Sequence, residues 1–432
     1  MQVYTRQAFP KNHAEALKYL AIFYQDRGSY NSAYNTYKSA ISTVELLRGE
    51  IISGEESKRK QAEEWNIIYR RMVEVCLQLG EETLALEYIE RSKTRNLVEL
   101  ILERARKIIF PPNVVTQLEQ LRDEIATGQY KIQNTTAENP TALAQQLQEL
   151  RERKKSLEDE YLPVGSGFDF KKFQETLDKN TVIIEWYITE LGWETFIIHR
   201  QSIQHFELSV SNDKLQALPK WVNDYLNSYY QDKNNWKNTL ASRLKKLAEI
   251  LKIEEIIKLI PQKYSHLILI PHRYLHLFPL HALPLSDGSF LCDKFPDGVS
   301  YAPSCQLLQQ LNLRQRVNFN SLFAIQNPTE DLQYTDLEVE TISSLFTDKE
   351  ILYKKQATQT ALSQASSQIK QANYLHFSCH GKFNLKTPQN SCLLLAGADE
   401  NDELNLSKCL TLGDLFKRDF NLNQCRLVVL SA

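Results

Sequence analysis

Apolar residues follow a helical period over the N-terminal part of the chain. Across residues 14–41 apolar and small residues recur three or four positions apart, with a break at Gly28. This spacing predicts two facing stripes, formed by Leu17, Leu20, Ala21 and Tyr24 before the break and by Ala33, Tyr37 and Ala40 after it. A weaker pair of stripes surrounds Gly80, where Met72, Val73 and Cys76 precede the glycine and Ala85 and Ile89 follow it. We therefore expect helical hairpins in this part of the chain.

The first hairpin resembles a tetratricopeptide repeat, in which small residues let two helices approach and aromatic residues fill the remaining space. The two turn glycines, Gly28 and Gly80, are spaced more widely than the ~34 residues of a simple repeat. Residues 42–64 are therefore expected to be an insertion or a lengthening of the helices. A generic amphipathic helical bundle explains the same stripes and remains open at this stage.

Two charged helices are predicted in the next segment. The prolines of Phe110-Pro111-Pro112 end the preceding helical pattern, and Asn139-Pro140 separates the two helices. The basic run at residues 151–155 is followed at once by acidic residues, which favours a solvated helix face over a nucleic-acid contact. Residues 162–167 contain a proline and two glycines and are expected to be a linker.

Beyond this linker the pattern changes to short apolar runs of strand length. Strands are predicted at residues 181–188, 195–200, 203–208 and 266–271, with a helical stretch at 215–260. From Ser321 strands and helices alternate. These later strands are predicted at 322–325, 351–353, 374–378, 391–395 and 426–430, the last of them buried, and the helices at 337–346, 359–371 and 410–418. Such alternation predicts a mainly parallel sheet flanked by helices, so the fold class is a helical-repeat region followed by an α/β domain.

Composition excludes several classes of protein. The net charge of −2 excludes a globally basic nucleic-acid binder, and neither a P-loop nor a G-x-G-x-x-G motif occurs among the 13 glycines. No apolar run approaches the ~18 residues needed to span a bilayer, and the first residues lack the apolar core of a signal peptide. The seven cysteines form no C-x-x-C pair, which argues against a zinc ribbon or a thioredoxin-like site. We expect a cytoplasmic protein that makes no membrane contact.

One histidine occupies the position where parallel sheets place their active sites. Ligands bind beyond the carboxyl ends of the strands, and His380-Gly381 directly follows the strand predicted at residues 374–378. The strand at 426–430 is followed by Ser431 and Ala432, where the sequence stops. We expect a second catalytic group immediately beyond that point.

Several motifs in order resemble the CHAT family of caspase-like peptidase domains, which usually follow tetratricopeptide repeats. The first motif is Leu375-His376-Phe377-Ser378-Cys379-His380-Gly381, and the others are Ser391-Cys392-Leu393-Leu394-Leu395 and Leu427-Val428-Val429-Leu430-Ser431-Ala432. Further agreement is found at residues 269–283, at Tyr301-Ala302-Pro303-Ser304 and at Asn327-Pro328-Thr329-Glu330-Asp331-Leu332. The resemblance covers roughly residues 169–432.

The resemblance implies a division into four segments. Residues 1–108 are expected to form tetratricopeptide-like hairpins and residues 109–165 a helical connector. Residues 166–304 correspond to a non-catalytic first half of the CHAT domain, and residues 305–432 to a caspase-like catalytic half that is incomplete at its C-terminus.

The family's catalytic dyad is a histidine in the H-G box and a cysteine directly after L-S-A. The resemblance assigns the first role to His380, and it places the cysteine after Ala432, at the roughly 50-residue spacing of caspase-type enzymes. It implies peptide-bond hydrolysis by a cysteine endopeptidase, in which the Gly381 N–H contributes to the oxyanion hole and no metal or organic cofactor takes part. The chain as given lacks the nucleophile and is expected to be inactive.

Other cysteines and histidines are predicted to be structural. Cys379 is expected to point away from the imidazole, because successive strand residues face opposite sides of a sheet. His376 is expected to be an interior histidine. His272, His276 and His281 are expected to lie in a packed turn rather than to bind a metal.

Substrate and partner recognition is the least determined part of the sequence. The loop containing Asn327 and Asp331 is predicted to contribute to substrate binding, and Asp331 is expected either to recognise a basic side chain or to cap a turn. The expected partners are a protein substrate, a regulatory protein bound by the helical repeats, or both, with nucleic acid present only indirectly in an RNA-guided complex. Family members act in bacterial regulation and in RNA-guided defence. A non-catalytic scaffold built on the repeats is the alternative function.

Overall fold

The computed structural model describes residues 6, 9–48, 55–93, 110–134, 136–161, 168–189, 192–206, 216–312, 319–384, 386–399, 403–417, 422 and 424–431. The chain divides into two compact units, Met1–Leu313 and Arg314–Ala432. Within the described residues no helix is long and apolar enough to cross a membrane.

Helical hairpins form the N-terminal part of the first unit, as the apolar period predicts. Ala21 and Ala33 are fully buried between the first two helices, and Gly28 makes the turn between them with a φ of +72° that favours glycine. The second and third helices are long, so the wide spacing of Gly28 and Gly80 reflects lengthened helices. The helices are α1 (Pro10–Asp26), α2 (Tyr30–Arg48), α3 (Glu55–Gln78), α4 (Glu82–Lys93), α5 (Pro112–Gln133), α6 (Pro140–Tyr161) and α7 (Phe170–Glu175).

A five-stranded mixed sheet completes the first unit. Its order is β3-β2-β1-β4-β5, with β1, β4 and β5 parallel and β2 and β3 antiparallel to their neighbours. The strands are β1 (Thr181–Ile188), β2 (Trp193–His199), β3 (Ser202–Phe206), β4 (His266–Ile270) and β5 (Val299–Tyr301). The remaining helices are α8 (Ala217–Gln231), α9 (Lys233–Ile250), α10 (Ile253–Leu259) and α11 (Cys305–Asn312).

Both faces of β1 are covered, which explains why apolar residues occur on both sides of the strand and why all eight of its residues are buried. Ile183 and Tyr187 pack in the same core as the helical hairpins, whereas Ile184 and Trp186 pack against α8, α9 and α10. The alternation follows from the two-residue period of a strand.

The second unit contains a four-stranded, fully parallel sheet in the order β12-β8-β6-β7 and a small antiparallel sheet in the order β11-β10-β9. Helix α12 packs on one face of the parallel sheet, and α13 and α14 pack on the other. The elements are β6 (Ser321–Gln326), α12 (Thr335–Ser343), β7 (Asp348–Tyr353), α13 (Gln359–Gln364), α14 (Ser366–Gln371), β8 (Tyr374–Ser378), β9 (Gly381–Lys382), β10 (Cys392–Leu394), β11 (Cys409–Thr411), α15 (Leu412–Lys417) and β12 (Leu427–Ser431).

Two sequence predictions about burial are wrong. In the run at residues 151–155, which was expected to be a solvated helix face, Arg151 is 9% exposed and its guanidinium donates to Gln129 Oε1 at 2.8 Å. Strand β12 was expected to be buried, yet Leu427, Val428 and Leu430 are 46%, 45% and 63% exposed. The reason is the strand order, which makes β12 an edge of the sheet with β8 on one side. Several element boundaries also differ. The helix predicted at 359–371 breaks at Ala365, and the first residues of the helix predicted at 410–418 belong to β11.

Candidate active site

The carboxyl ends of three parallel strands meet at one edge of the second unit. Ser378, the last residue of β8, lies between Gln326 at the end of β6 and Ser431 at the end of β12. Backbone hydrogen bonds continue the pairing by one residue, since Asn327 N donates to Ser378 O at 2.9 Å and Cys379 N donates to Ser431 O at 3.0 Å. His380 follows Cys379, so it lies at this edge of the sheet, as predicted from its position after the strand at residues 374–378.

The loop that follows β6 is closed by Asn327. Its Oδ1 accepts from Leu332 N at 3.2 Å and its Nδ2 donates to Leu332 O at 3.1 Å, and the residue is 4% exposed. A φ of +48° at Asn327 turns the chain sharply at the strand end, in the left-handed region that asparagine tolerates. The side chain therefore shapes the loop that carries Asp331, and the substrate contact expected of Asn327 stays a prediction.

Asp331 lies against His380. The Asp331 Oδ2 atom is 2.9 Å from His380 Nε2, and the two side chains are 60% and 39% exposed. The Thr329 hydroxyl donates to the other carboxylate oxygen of Asp331. Hydrogen bonds from Thr329 and from His380 lower the pKa of Asp331, so this carboxyl stays ionised at neutral pH. This contact adds a third candidate role for Asp331, which is to orient the ring of His380. The two roles expected from the sequence are contact with a basic side chain and capping of a turn.

Gly381 begins the small antiparallel sheet beside the histidine. It pairs with Leu393, and the carbonyl of His380 accepts from Leu394 N at 2.8 Å. A Cβ at Gly381 would lie 3.8 Å from Leu393 Cδ2, which is ordinary van der Waals contact. Packing therefore does not demand glycine here, and the oxyanion role remains a prediction.

Glu338 on α12 is a site residue that the sequence did not single out. Its Oε2 accepts from the Ser378 hydroxyl at 2.7 Å and from the Ser431 hydroxyl at 3.1 Å, and its Oε1 lies 3.4 Å from His376 Nε2. The sequence does not distinguish Glu338 from Glu340, the other acidic residue in the helix predicted at 337–346.

Cys379 faces away from this edge. It is 1% exposed and shares a core with Leu375 and Phe377 on the α13 and α14 face of the sheet. Burial raises the pKa of its thiol to about 12, so it is a poor nucleophile at neutral pH. Cys409 is also buried, and its pKa is raised to about 12 by burial and by the neighbouring Cys392.

The remaining histidines have separate structural surroundings. His376 is 1% exposed and its Nδ1 lies 2.9 Å from the Tyr374 hydroxyl. In the first unit, His272 Nδ1 accepts from Ile188 N at 2.9 Å and its ring stacks on Tyr187, with centroids 4.5 Å apart. His281 Nδ1 lies 2.9 Å from the Tyr301 hydroxyl.

One cluster with metal-ligand character is found in the described part of the chain. It comprises Glu90, Glu185 and Cys305, all buried, with one possible ligand atom from each within 4.8 Å of the others. Lys93 Nζ lies 2.9 Å from Glu185 Oε1, so an ammonium group already supplies positive charge to this cluster.

Comparisons with known proteins agree with the motif assignment in the C-terminal part of the chain. The sequence profile of the CHAT domain matches residues 241–432, which confirms the predicted resemblance there, although the expected start near residue 169 lies upstream. No curated protein matches the sequence. The structure is similar to the crystal structure of the Saccharomyces cerevisiae separase–securin complex, with 11% identity over 96% of this chain and 43% of that chain, at a TM-score of 0.33. This chain thus spans less than half of that one, and the low TM-score supports no correspondence of residues.

Proposed function

We propose that this chain supplies the histidine of a caspase-like cysteine endopeptidase, because residues 241–432 match the sequence profile of the CHAT domain. The nucleophile in this proposal is a cysteine that follows Ser431-Ala432 in the intact protein. The helical N-terminal part binds a protein substrate or a regulatory protein. The observation that carries the proposal is His380 at the tip of β8, with its Nε2 2.9 Å from Asp331.

The arrangement of β8 and β12 supports a shared active site. The two strands are parallel neighbours in register, with Ser431 opposite Ser378. Neighbouring strands lie about 4.8 Å apart, so residues just beyond both tips come within side-chain reach of each other. A thiol placed after β12 can therefore approach the imidazole that follows β8.

The chemistry divides between His380 and Asp331. If His380 Nε2–H donates to Asp331, Nδ1 carries the lone pair and takes the thiol proton as the sulfur attacks the peptide carbonyl. The Asp331 carboxylate stabilises the resulting imidazolium, which then gives its proton to the leaving amine. The carbonyl oxygen gains negative charge in the tetrahedral intermediate, and the Gly381 N–H and the nucleophile's own N–H are proposed to stabilise it. Water hydrolyses the thioester and regenerates the thiol.

The test uses the protein with its natural residues beyond position 432. We expect a cysteine directly after Ala432, cleavage of a protein or peptide substrate, and complete loss of cleavage in His380→Ala. His281→Ala is the matched control, because His281 is an exposed histidine in the first unit. A different residue after Ala432, or full activity in His380→Ala, contradicts the proposal.

A scaffold function is the second candidate, and a surface feature of α1 favours it. Tyr19 and Phe23, one helical turn apart, are 66% and 51% exposed, which is typical of contact sites for other proteins. A scaffold predicts that His380→Ala leaves the protein's cellular role intact while Tyr19→Ala with Phe23→Ala abolishes it. The endopeptidase proposal predicts that His380→Ala abolishes this role.

A further inference from the structure

A single carboxylate joins the ends of the two strands that frame the candidate active site. Glu338 Oε2 accepts a hydrogen bond from Ser378 at 2.7 Å and another from Ser431 at 3.1 Å. Ser378 and Ser431 are the last residues of β8 and β12, and they lie opposite each other in the strand register. The carboxylate thus connects two strand ends that are otherwise held by backbone pairing at the edge of the sheet.

The charge of this group suits the connection. Burial alone would raise the pKa of Glu338, but the hydrogen bonds from Ser378 and Ser431, together with the interaction with His376, outweigh burial, and the pKa is lowered. An ionised carboxylate only accepts hydrogen bonds, so both serine hydroxyls must donate toward it. Hydrogen bonds to a charged acceptor are shorter and stronger than neutral ones.

The connection adds to the apolar packing of α12. Val339 is fully buried and packs with Leu322 and Ala324 of β6, and this contact already attaches the helix to the sheet. Glu338 is instead 34% exposed and reaches the strand ends, where its partner Ser378 on β8 lies two residues before His380. Its position is suited to setting the geometry of these ends rather than to holding the helix in place.

We propose that Glu338 is a positioning residue that sets the distance between His380 and the nucleophile by holding the ends of β8 and β12 together. This inference rests on the proposed endopeptidase function. A misplacement of about 1 Å can cost on the order of 100-fold in rate, so a hydrogen-bonded link at the strand ends has a large effect on catalysis without touching the substrate.

The first experiment needs no catalytic activity. In the 432-residue chain, the titration of His376 is followed by NMR in Glu338→Gln and in Glu340→Gln, a change at an exposed acidic residue on the same helix. Burial lowers the pKa of His376, and the nearby Glu338 charge partly opposes this. Glu338→Gln should therefore lower the pKa of His376 further, and Glu340→Gln should leave it near that of the parent chain. An unchanged titration in Glu338→Gln shows that the carboxylate does not hold this position, and overturns the inference.

The second experiment uses the intact protein. Glu338→Gln should lower kcat on the order of 10- to 100-fold with little change in KM, because the reacting groups are displaced while substrate contacts remain. Ser378→Ala should lower kcat in the parent protein but add little in the Glu338→Gln background, because both changes break the same link. Val339→Ala is the stability control, since it weakens helix packing and should leave the kcat of folded protein unchanged.

The outcomes separate the two hypotheses. Full kcat in Glu338→Gln together with no cleavage in His380→Ala overturns the positioning role and leaves the proposed function intact. Cleavage that persists in His380→Ala overturns the proposed function. A kcat that falls in Val339→Ala as much as in Glu338→Gln assigns Glu338 a structural role only, and also overturns the inference.

Discussion

Lys93 and Glu185 form a buried ion pair that links the helical hairpins to the sheet of the first unit. Lys93 Nζ lies 2.9 Å from Glu185 Oε1, and the side chains are 4% and 0% exposed. Lys93 on α4 also donates to the carbonyl of Trp186 on β1 at 3.0 Å. Glu90, one turn earlier on α4, accepts from Gln306 N at the start of α11. Burial and the charge of Glu185 raise the pKa of Glu90 well above its usual range.

We expect Lys93→Met to destabilise the first unit by about 3–5 kcal/mol, because Glu185 is left as a buried charge without its partner. The double change Lys93→Met with Glu185→Gln should cost less than Lys93→Met alone, since it removes both charges. Lys171→Met, at an exposed lysine, is the control. Urea unfolding measures the free energies, and a Lys93→Met value equal to that of the control contradicts the prediction.

The Asp331 carboxyl should respond to both of its neighbours. Thr329→Val and His380→Ala should each raise the pKa of Asp331 toward the ordinary aspartate value, because each removes a hydrogen bond to the ionised form. A ¹³C NMR titration of the carboxyl carbon measures the change. Lys349→Ala, at an exposed residue on the neighbouring strand β7, should leave the titration unchanged. If His380→Ala also has no effect, the Asp331–His380 contact is absent in solution.

Asp331→Asn in the intact protein should lower kcat on the order of 10- to 1,000-fold. The amide retains the shape of the carboxylate but neither fixes the histidine tautomer nor stabilises the imidazolium, as in other triads. Substrate cleavage assays at saturating substrate measure this loss. An unchanged kcat together with a rise in KM only for substrates that have a basic residue before the scissile bond contradicts the orienting role.

Cysteine reactivity should follow burial. In the native chain, iodoacetamide should label the partly exposed Cys292 first and should spare Cys379 and Cys409, whose thiol pKa values are about 12. Peptide mapping by mass spectrometry identifies the labelled sites. In denaturant all seven cysteines should react at similar rates. Rapid native labelling of Cys379 contradicts the buried placement and reopens its candidacy as a nucleophile.

The stability of the first unit should fall as the pH drops below about 6.5. Burial, together with the nearby Lys93 and Arg273, lowers the pKa of His272 well below its usual value, so the folded state holds this imidazole neutral. As the pH falls, His272 is protonated in the unfolded chain before it is protonated in the folded chain. Its contribution to the free energy of unfolding is therefore fully present above the pKa of the unfolded state and declines below it, by at most about 1.4 kcal/mol per pH unit.

His272→Asn tests this pH dependence. The asparagine Oδ1 can still accept from Ile188 N but does not titrate, so the unfolding free energy should change less between pH 5 and pH 7 than in the parent chain. His281→Asn, at an exposed histidine, should retain the parent slope. If the unfolding free energy of His272→Asn depends on pH as steeply as that of the parent chain, the pH dependence comes from other groups.

The sequence by itself determined most of the elements and the position of the candidate histidine. The predicted bounds of β1 and β8 agree with the structure because short runs of mostly β-branched, aromatic and other apolar residues, bounded by polar residues, are local signals. The rule that sites lie beyond parallel strands then places His380 at the sheet edge. The motif around it indicated a resemblance to the CHAT domain, and the sequence profile of that domain matches residues 241–432.

Only the tertiary structure decided which side chains meet. The contacts of His380 with Asp331 and of Glu338 with Ser378 join residues that are far apart in sequence, and both depend on strand order and on how α12 lies on the sheet. The same strand order made the burial prediction for β12 wrong, because an apolar run does not reveal whether its strand is central or at an edge. Strand order is set by the packing of the whole unit, which is the sum of many distant contacts that no local pattern contains.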